Sequence, residues 1–226
     1  MRIPALVLLL ALMHAPAAPV DVLDLVHARA GPGVPPEWKV RAVRGSRAPE
    51  SEIVSDAEGV RFRLHGAGRA AWFYRELPAE IAVSDGALRW SWRVLEAPAD
   101  ADLRVERLDD SPLRVFVVFG HPGLFRRSAR TIFYTFGNAE PTGYEHAGAS
   151  SDRIHVIRVD GAADRARWAE HRTNPFADFR RIWNAEPPAI TAIGVMQDTD
   201  QTGAPATGEI RRLEWGASNP DGAPQH

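Results

Sequence analysis

The chain has 226 residues, 27 basic against 29 acidic side chains and no cysteine. So even a balance argues against nucleic acid or an anionic membrane surface as the main partner. Without cysteine there is no disulfide, no thiolate nucleophile and no zinc–thiolate site, and the length suffices for a core that holds the fold by itself. Lys39 is the only lysine, so Schiff-base chemistry would have to run through it.

Arg2, an apolar run over 5–13 and the small residues Ala15-Pro16-Ala17 read as a secretory leader cut after Ala17. The run is too short to span a bilayer, and nothing later is long and apolar enough to do so. The expected location is periplasmic or secreted. Residues 18–37 form an N-terminal segment punctuated by Gly31-Pro32-Gly33 and Pro35-Pro36, a loop signal.

A single domain is expected over 38–215, followed by a disordered tail over 216–226. Residues 38–43 alternate weakly, as on an edge strand, and Val60-Arg61-Phe62-Arg63-Leu64 alternates cleanly. In Leu88-Arg89-Trp90-Ser91-Trp92-Arg93-Val94 the apolar residues fall on one face and the polar ones on the other. An aromatic platform for sugar stacking is one use of that row; core packing is the reading favoured by its Leu and Val.

Residues 97–110 form an acidic loop, 113–119 a strand covered on both faces, 131–136 another strand and 137–152 a long loop. A strand follows at 154–159, with 165–173 as its expected partner. Asn174 as cap, Pro175 at the first helical position and apolar residues at helical spacing predict one short helix near 174–184. Many short strands and one helix predict a mostly all-β fold, an antiparallel two-sheet sandwich.

The run 189–196 leads into Asp198-x-Asp200-x-Thr202-Gly203, and Glu209 stands twelfth from Asp198. That is the register of a calcium loop: alternate oxygens curl inward, glycine at the sixth position permits the turn, and a late Glu closes the shell. Asp198, Asp200, Thr202 and Glu209 are therefore the candidate metal ligands, and calcium the candidate ion. Pro205 and the strand-like flanks separate the turn from an EF-hand, and a plain hairpin turn stabilised by Asp side chains is the reading favoured over a metal site.

Asp109 and Asp110 precede a buried strand carrying Arg114, which suits a ligand site, a second ion site or a structural ion pair. Trp168, Glu170 and Arg172 share a strand face, with Glu170 placed to act as an acid or base or to pair with an arginine. Asp109, Asp110, Arg114, Trp168 and Glu170 are the candidate ligand-binding residues. The chain contains no G-x-S-x-G, H-E-x-x-H, P-loop or G-x-G-x-x-G motif.

Taken together, several motifs resemble a bacterial exported family, domain of unknown function 3047. They are Leu88-x-Trp90-x-Trp92, Asp109-Asp110 before the strand 114–119, Tyr134-x-Phe136-Gly137, Trp168-x-Glu170-x-Arg172, Asp178-Phe179, the Asp198–Gly203 turn and Gly208-Glu209-Ile210. Phe136 stands where the family has Trp, and Glu209 where it has Asp. The resemblance spans about 38–215 and implies a jelly-roll-like sandwich similar to carbohydrate-binding modules, with no activity attached. The expected function is a non-catalytic binding module for a polysaccharide or another envelope component. A carbohydrate-active hydrolase or lyase using Glu170 or Asp109/Asp110, and a structural envelope protein that binds other proteins, are the alternatives.

Overall fold

The computed structural model describes residues 19–78, 86–121, 129–148 and 151–217. The segment 1–17 expected as a leader and residues 218–226 of the expected tail lie outside them, whereas residues 216 and 217 of that tail end a strand. The described strands are β1 (Val20–Asp21), β2 (Gly31–Pro32), β3 (Lys39–Ala42), β4 (Glu50–Asp56), β5 (Gly59–Ala67), β6 (Ala70–Glu76) and β7 (Gly86–Glu96). They continue with β8 (Ser111–Phe119), β9 (Arg130–Phe136), β10 (Glu145–Gly148), β11 (Ser151–Asp160), β12 (Ala169–Thr173), β13 (Ile190–Asp198) and β14 (Pro205–Ala217). One helix, α1 (Pro175–Trp183), lies between β12 and β13.

The strands form the two-sheet sandwich that alternation predicts. The first sheet runs β12-β7-β14-β5-β4-β2, with β1 beside the far half of β14; the second runs β10-β11-β9-β8-β13-β6-β3. Among the described pairs all are antiparallel except β9 with β11. The chain crosses over after β9 and returns through the β10–β11 hairpin, which brings β11 alongside β9 in the same direction.

Inward rows from both sheets make the core. Leu88, Trp90, Trp92 and Val94 of β7 and Ile210, Leu213 and Trp215 of β14 face Leu113, Val115, Val117, Ile193 and Val195. The Trp90/Trp92 row is thus core, not a sugar platform. Each buried tryptophan removes on the order of 200 Å² from water, about 5 kcal/mol of gross transfer energy. The Trp92 indole N–H donates to Asp160 at 2.6 Å, so its polar end is satisfied inside.

Three expectations change. The stretch 137–152 is not a loop throughout, since β10 lies within it. Residues 165–173 do not pair with 154–159: β12 crosses to the first sheet and sets Glu170 opposite Ser91 of β7. The anchor is His171, which stacks on Trp90 at 4.8 Å and lies 2.7 Å from Asp160. The segment 18–37 does not merely precede the domain. Val22 and Leu23 are fully buried, β1 pairs with β14, and Trp38 donates to the Val22 carbonyl.

Helix α1 plugs one end of the sandwich. Asn174 accepts from the Ala177 N–H at 3.0 Å, Pro175 opens the first turn, and Asn184 ends the helix in the left-handed region. Its buried face packs Phe176 and Phe179 on Phe119 of the second sheet, and Phe176 on Trp215 of the first.

The outer faces of the two sheets differ. On the second, Phe116, Phe133 and Met196 are buried under Leu103 and the half-buried Trp72 and Tyr144. The loops that cover them are tied together: buried Glu140 accepts from the Leu103 and Asn138 N–H groups, and the Asn138 amide donates to Ala99 and Ala101. The outer face of the first sheet, by contrast, presents charged side chains to solvent.

Candidate functional site

The sequence-predicted residues fall into two groups on different parts of the sandwich. The first gathers at the turn between β13 and β14. Gly203 sits at φ +71°, a conformation glycine adopts without strain, and its N–H closes the turn onto the Thr199 carbonyl at 3.1 Å. Asp110, at the start of β8, reaches across to this turn. Its carboxylate accepts from the backbone N–H of Gln201 (3.1 Å) and Thr202 (2.7 Å) and from the Thr202 hydroxyl (2.5 Å).

Ligand oxygens of Asp110, Asp198 and Asp200 lie within 4.8 Å of one another. Arg114 does not pair with Asp110. Its guanidinium donates to the Asp109 carbonyl (2.8 Å) and carboxylate (2.7 Å) and stands 3.8 Å from Asp198 Oδ2. Burial drives the Asp198 pKa up to about 7; neighbouring Asp200, Asp110 and Asp109 push the same way, and Arg114 opposes them.

Glu209 does not join this group, contrary to the twelve-position register. From Pro205 the chain is extended, so at 3.3 Å per residue Glu209 is about 13 Å further along β14. Its fully buried carboxylate lies on the outer face of the first sheet, held by three arginines. Oε1 accepts from Arg61 Nε (3.0 Å) and from Arg63 Nε (2.9 Å), with Arg63 Nη2 2.7 Å away; Oε2 accepts from Arg93 Nε (2.9 Å) and Nη2 (2.6 Å). Burial raises the Glu209 pKa, but these bonds outweigh it and hold the group below the usual carboxylate range. Thr202 binds Asp110 through its hydroxyl, so it braces the cluster.

The second group lies on that same outer face. Trp168, just before β12, is half-buried, with the Arg211 guanidinium 4.4 Å and the Arg93 guanidinium 4.8 Å from its ring centre. Glu170 accepts from Arg211 at 3.1 Å and from Arg212; Arg211 also donates to Ser91 at 2.9 Å. Burial works against the Glu170 charge, yet bonds from Ser91 and Arg211 and the nearby positive charges hold its pKa low. Glu170 is therefore paired with Arg211 and Arg212 of β14, the ion-pair alternative of the sequence reading.

Two clefts open on this face. One of about 370 Å³ is lined by Asp21, Ser91, Glu170, Arg211, Arg212 and Glu214. The other, about 770 Å³, lies among Glu52, Arg63, His65, Leu95 and Thr207. Arg61, Arg63, Arg93 and Arg211 are absent from the sequence-predicted set. Their signal is present, since Arg61, Arg63 and Arg93 are the outward members of alternating runs, but alternation does not say which carboxylate they meet.

No curated protein matches the chain. Solved structures with similar strand arrangements include the family 11 carbohydrate-binding module of the cellulosomal cellulase Lic26A-Cel5E of Clostridium thermocellum. It is 10% identical, with 90% of this chain and 97% of that one covered and a TM-score of 0.49. The carbohydrate recognition domain of Emp47p is 11% identical, covering 88% and 95%, with a TM-score of 0.47. The xyloglucanase domain of NopAA of Sinorhizobium fredii is 9% identical, covering 84% and 98%, with a TM-score of 0.45. Residues 36–214 match the family described as "Protein of unknown function (DUF3047)", and the chain belongs to that family.

Proposed function

We propose that the protein is an exported, non-catalytic binding module that takes a neutral, hydroxyl-rich polymer, a glycan, on the outer face of its first sheet, with a calcium ion bracing the acidic turn. The observation that carries this reading is the composition of the open face. Arginine donors and carboxylate acceptors interleave there across β12, β7, β14 and β5, and both clefts open onto it. A sugar hydroxyl both donates and accepts, so it can bond to either member of such a lattice. A ligand of one charge sign would meet as many repelling groups as attracting ones. Trp168 adds an amphipathic ring at the same surface.

Glu170 argues for binding over hydrolysis. A carboxyl held ionised between arginines is a poor general acid, and glycoside hydrolysis needs one protonated carboxyl facing one charged one. The test is affinity electrophoresis and calorimetry of the full chain against a panel of soluble polysaccharides, with a reducing-end assay on the same mixtures. Retention by at least one glycan, weakened about thirtyfold by Trp168→Ala as for a 2 kcal/mol anchor, is the expected result. No retention by any member, or steady release of reducing ends, would overturn the reading.

A further inference from the structure

We propose that Asp110, Asp198 and Asp200 form a calcium site, different in membership from the loop read along the sequence. This deepens the calcium part of the function proposed above and does not involve the glycan face. Two observations converge on it.

The first is spacing. Oxygens of the three carboxylates lie within 4.8 Å of one another. Calcium holds oxygens at 2.3–2.6 Å, so three oxygens within 4.8 Å of one another can share one such ion. The donors are all hard oxygens, which suits calcium and not zinc or copper.

The second is an orphaned atom. Asp198 is 8% exposed, and its Oδ1 is buried with no hydrogen-bond partner. Its other oxygen is the one that faces Arg114, at 3.8 Å and beyond hydrogen-bond reach. Arg114 is meanwhile engaged by Asp109. The carboxylates of Asp110 and Asp200 thus stand beside a buried carboxylate one of whose oxygens has no hydrogen-bond partner, a costly arrangement that a cation would relieve.

Gln201 does not belong to the ligand set: turned so that both its ends are satisfied, its amide NH2 donates to Asp200 Oδ1 at 2.8 Å and to Asp110 Oδ1, and Asp198 Oδ1 stays bare. The ion would tie the start of β8 to the β13–β14 turn, whose N–H groups at 201 and 202 Asp110 already holds.

The test is titration of calcium chloride into the chelator-stripped full chain by calorimetry, with circular dichroism to confirm folding. The wild type is expected to take one ion per chain. Asp110→Asn and the solvent-exposed Asp200→Asn should each weaken binding at least about tenfold, as loss of a charged ligand does. Asp109→Asn, whose carboxylate faces Arg114, should stay within about threefold, and Glu209→Gln should still bind. Wild-type protein that is folded yet takes up no calcium would overturn the site, as would wild-type affinity in both Asp110→Asn and Asp200→Asn. Retention on the polysaccharide panel in the presence of chelator reports on the glycan reading separately.

Discussion

Glu209→Gln is the most informative single change on the open face. The substitution keeps the shape and removes the charge. Whichever way the new amide turns, its NH2 faces guanidinium N–H groups, so either the contacts of Arg93 or those of Arg61 and Arg63 are lost. Removing one partner of a buried ion pair costs about 3–5 kcal/mol. Each arginine keeps a second carboxylate: Asp56 for Arg61, Glu52 for Arg63 and Glu58 for Arg93. The carboxylate is screened from water only by the arginines themselves, of which Arg63 is 28% exposed. These two facts place the loss near the lower bound, about 3 kcal/mol. For a domain of this size that is a fall of about 6–12 °C in Tm. Urea unfolding with the m-value unchanged, together with calorimetry, measures it. A loss under about 1 kcal/mol would mean the cluster behaves as ordinary surface ion pairs, and the fixed donor lattice attributed to this face would not exist.

Two further outcomes follow from the same structure. Asn174→Ala removes the oxygen that caps α1 and should cost about 1 kcal/mol, read from the urea midpoint, whereas Asn174→Asp should cost far less. Acid should weaken the protein along a stated window. Bonds from Arg61 hold Asp56 down at about 2, and Glu209 is also lowered. Groups with depressed values contribute stability that is present above the ordinary carboxylate range and lost as pH falls through the folded pKa. Melting temperature should therefore decline from about pH 4 towards pH 2, and less steeply in Asp56→Asn; a flat profile over that window would contradict the assignment.

Much of the fold is legible because a half-buried strand writes its burial as alternation. The Leu88–Val94 row shows it, and so does helix α1, whose cap, proline and spacing are all local. What is not legible depends on contacts far apart in the chain. The β12 residues alternate equally well in either sheet, and contacts far away in the chain, the pairing with β7 and the stack of His171 on Trp90 among them, hold them in the first. The turn at 198–203 is visible from its Asp and Gly spacing, but its third carboxylate comes from Asp110, just ahead of β8 and far away in the chain. Glu209 fitted the count of a calcium loop and failed its geometry, because a count of positions assumes a curling chain and Pro205 begins an extended one. Arg114 forms the structural ion pair that the sequence allows, with Asp109 as its partner.

The most direct test of the binding face uses the indole N–H signals of the seven tryptophans, assigned in nitrogen-15 spectra by single Trp→Phe variants. A glycan that the protein retains is titrated in. The Trp168 signal should shift with saturation, while those of buried Trp90, Trp92 and Trp215 stay in place. A shift confined to Trp72, on the outer face of the other sheet, with Trp168 unmoved, would contradict the account.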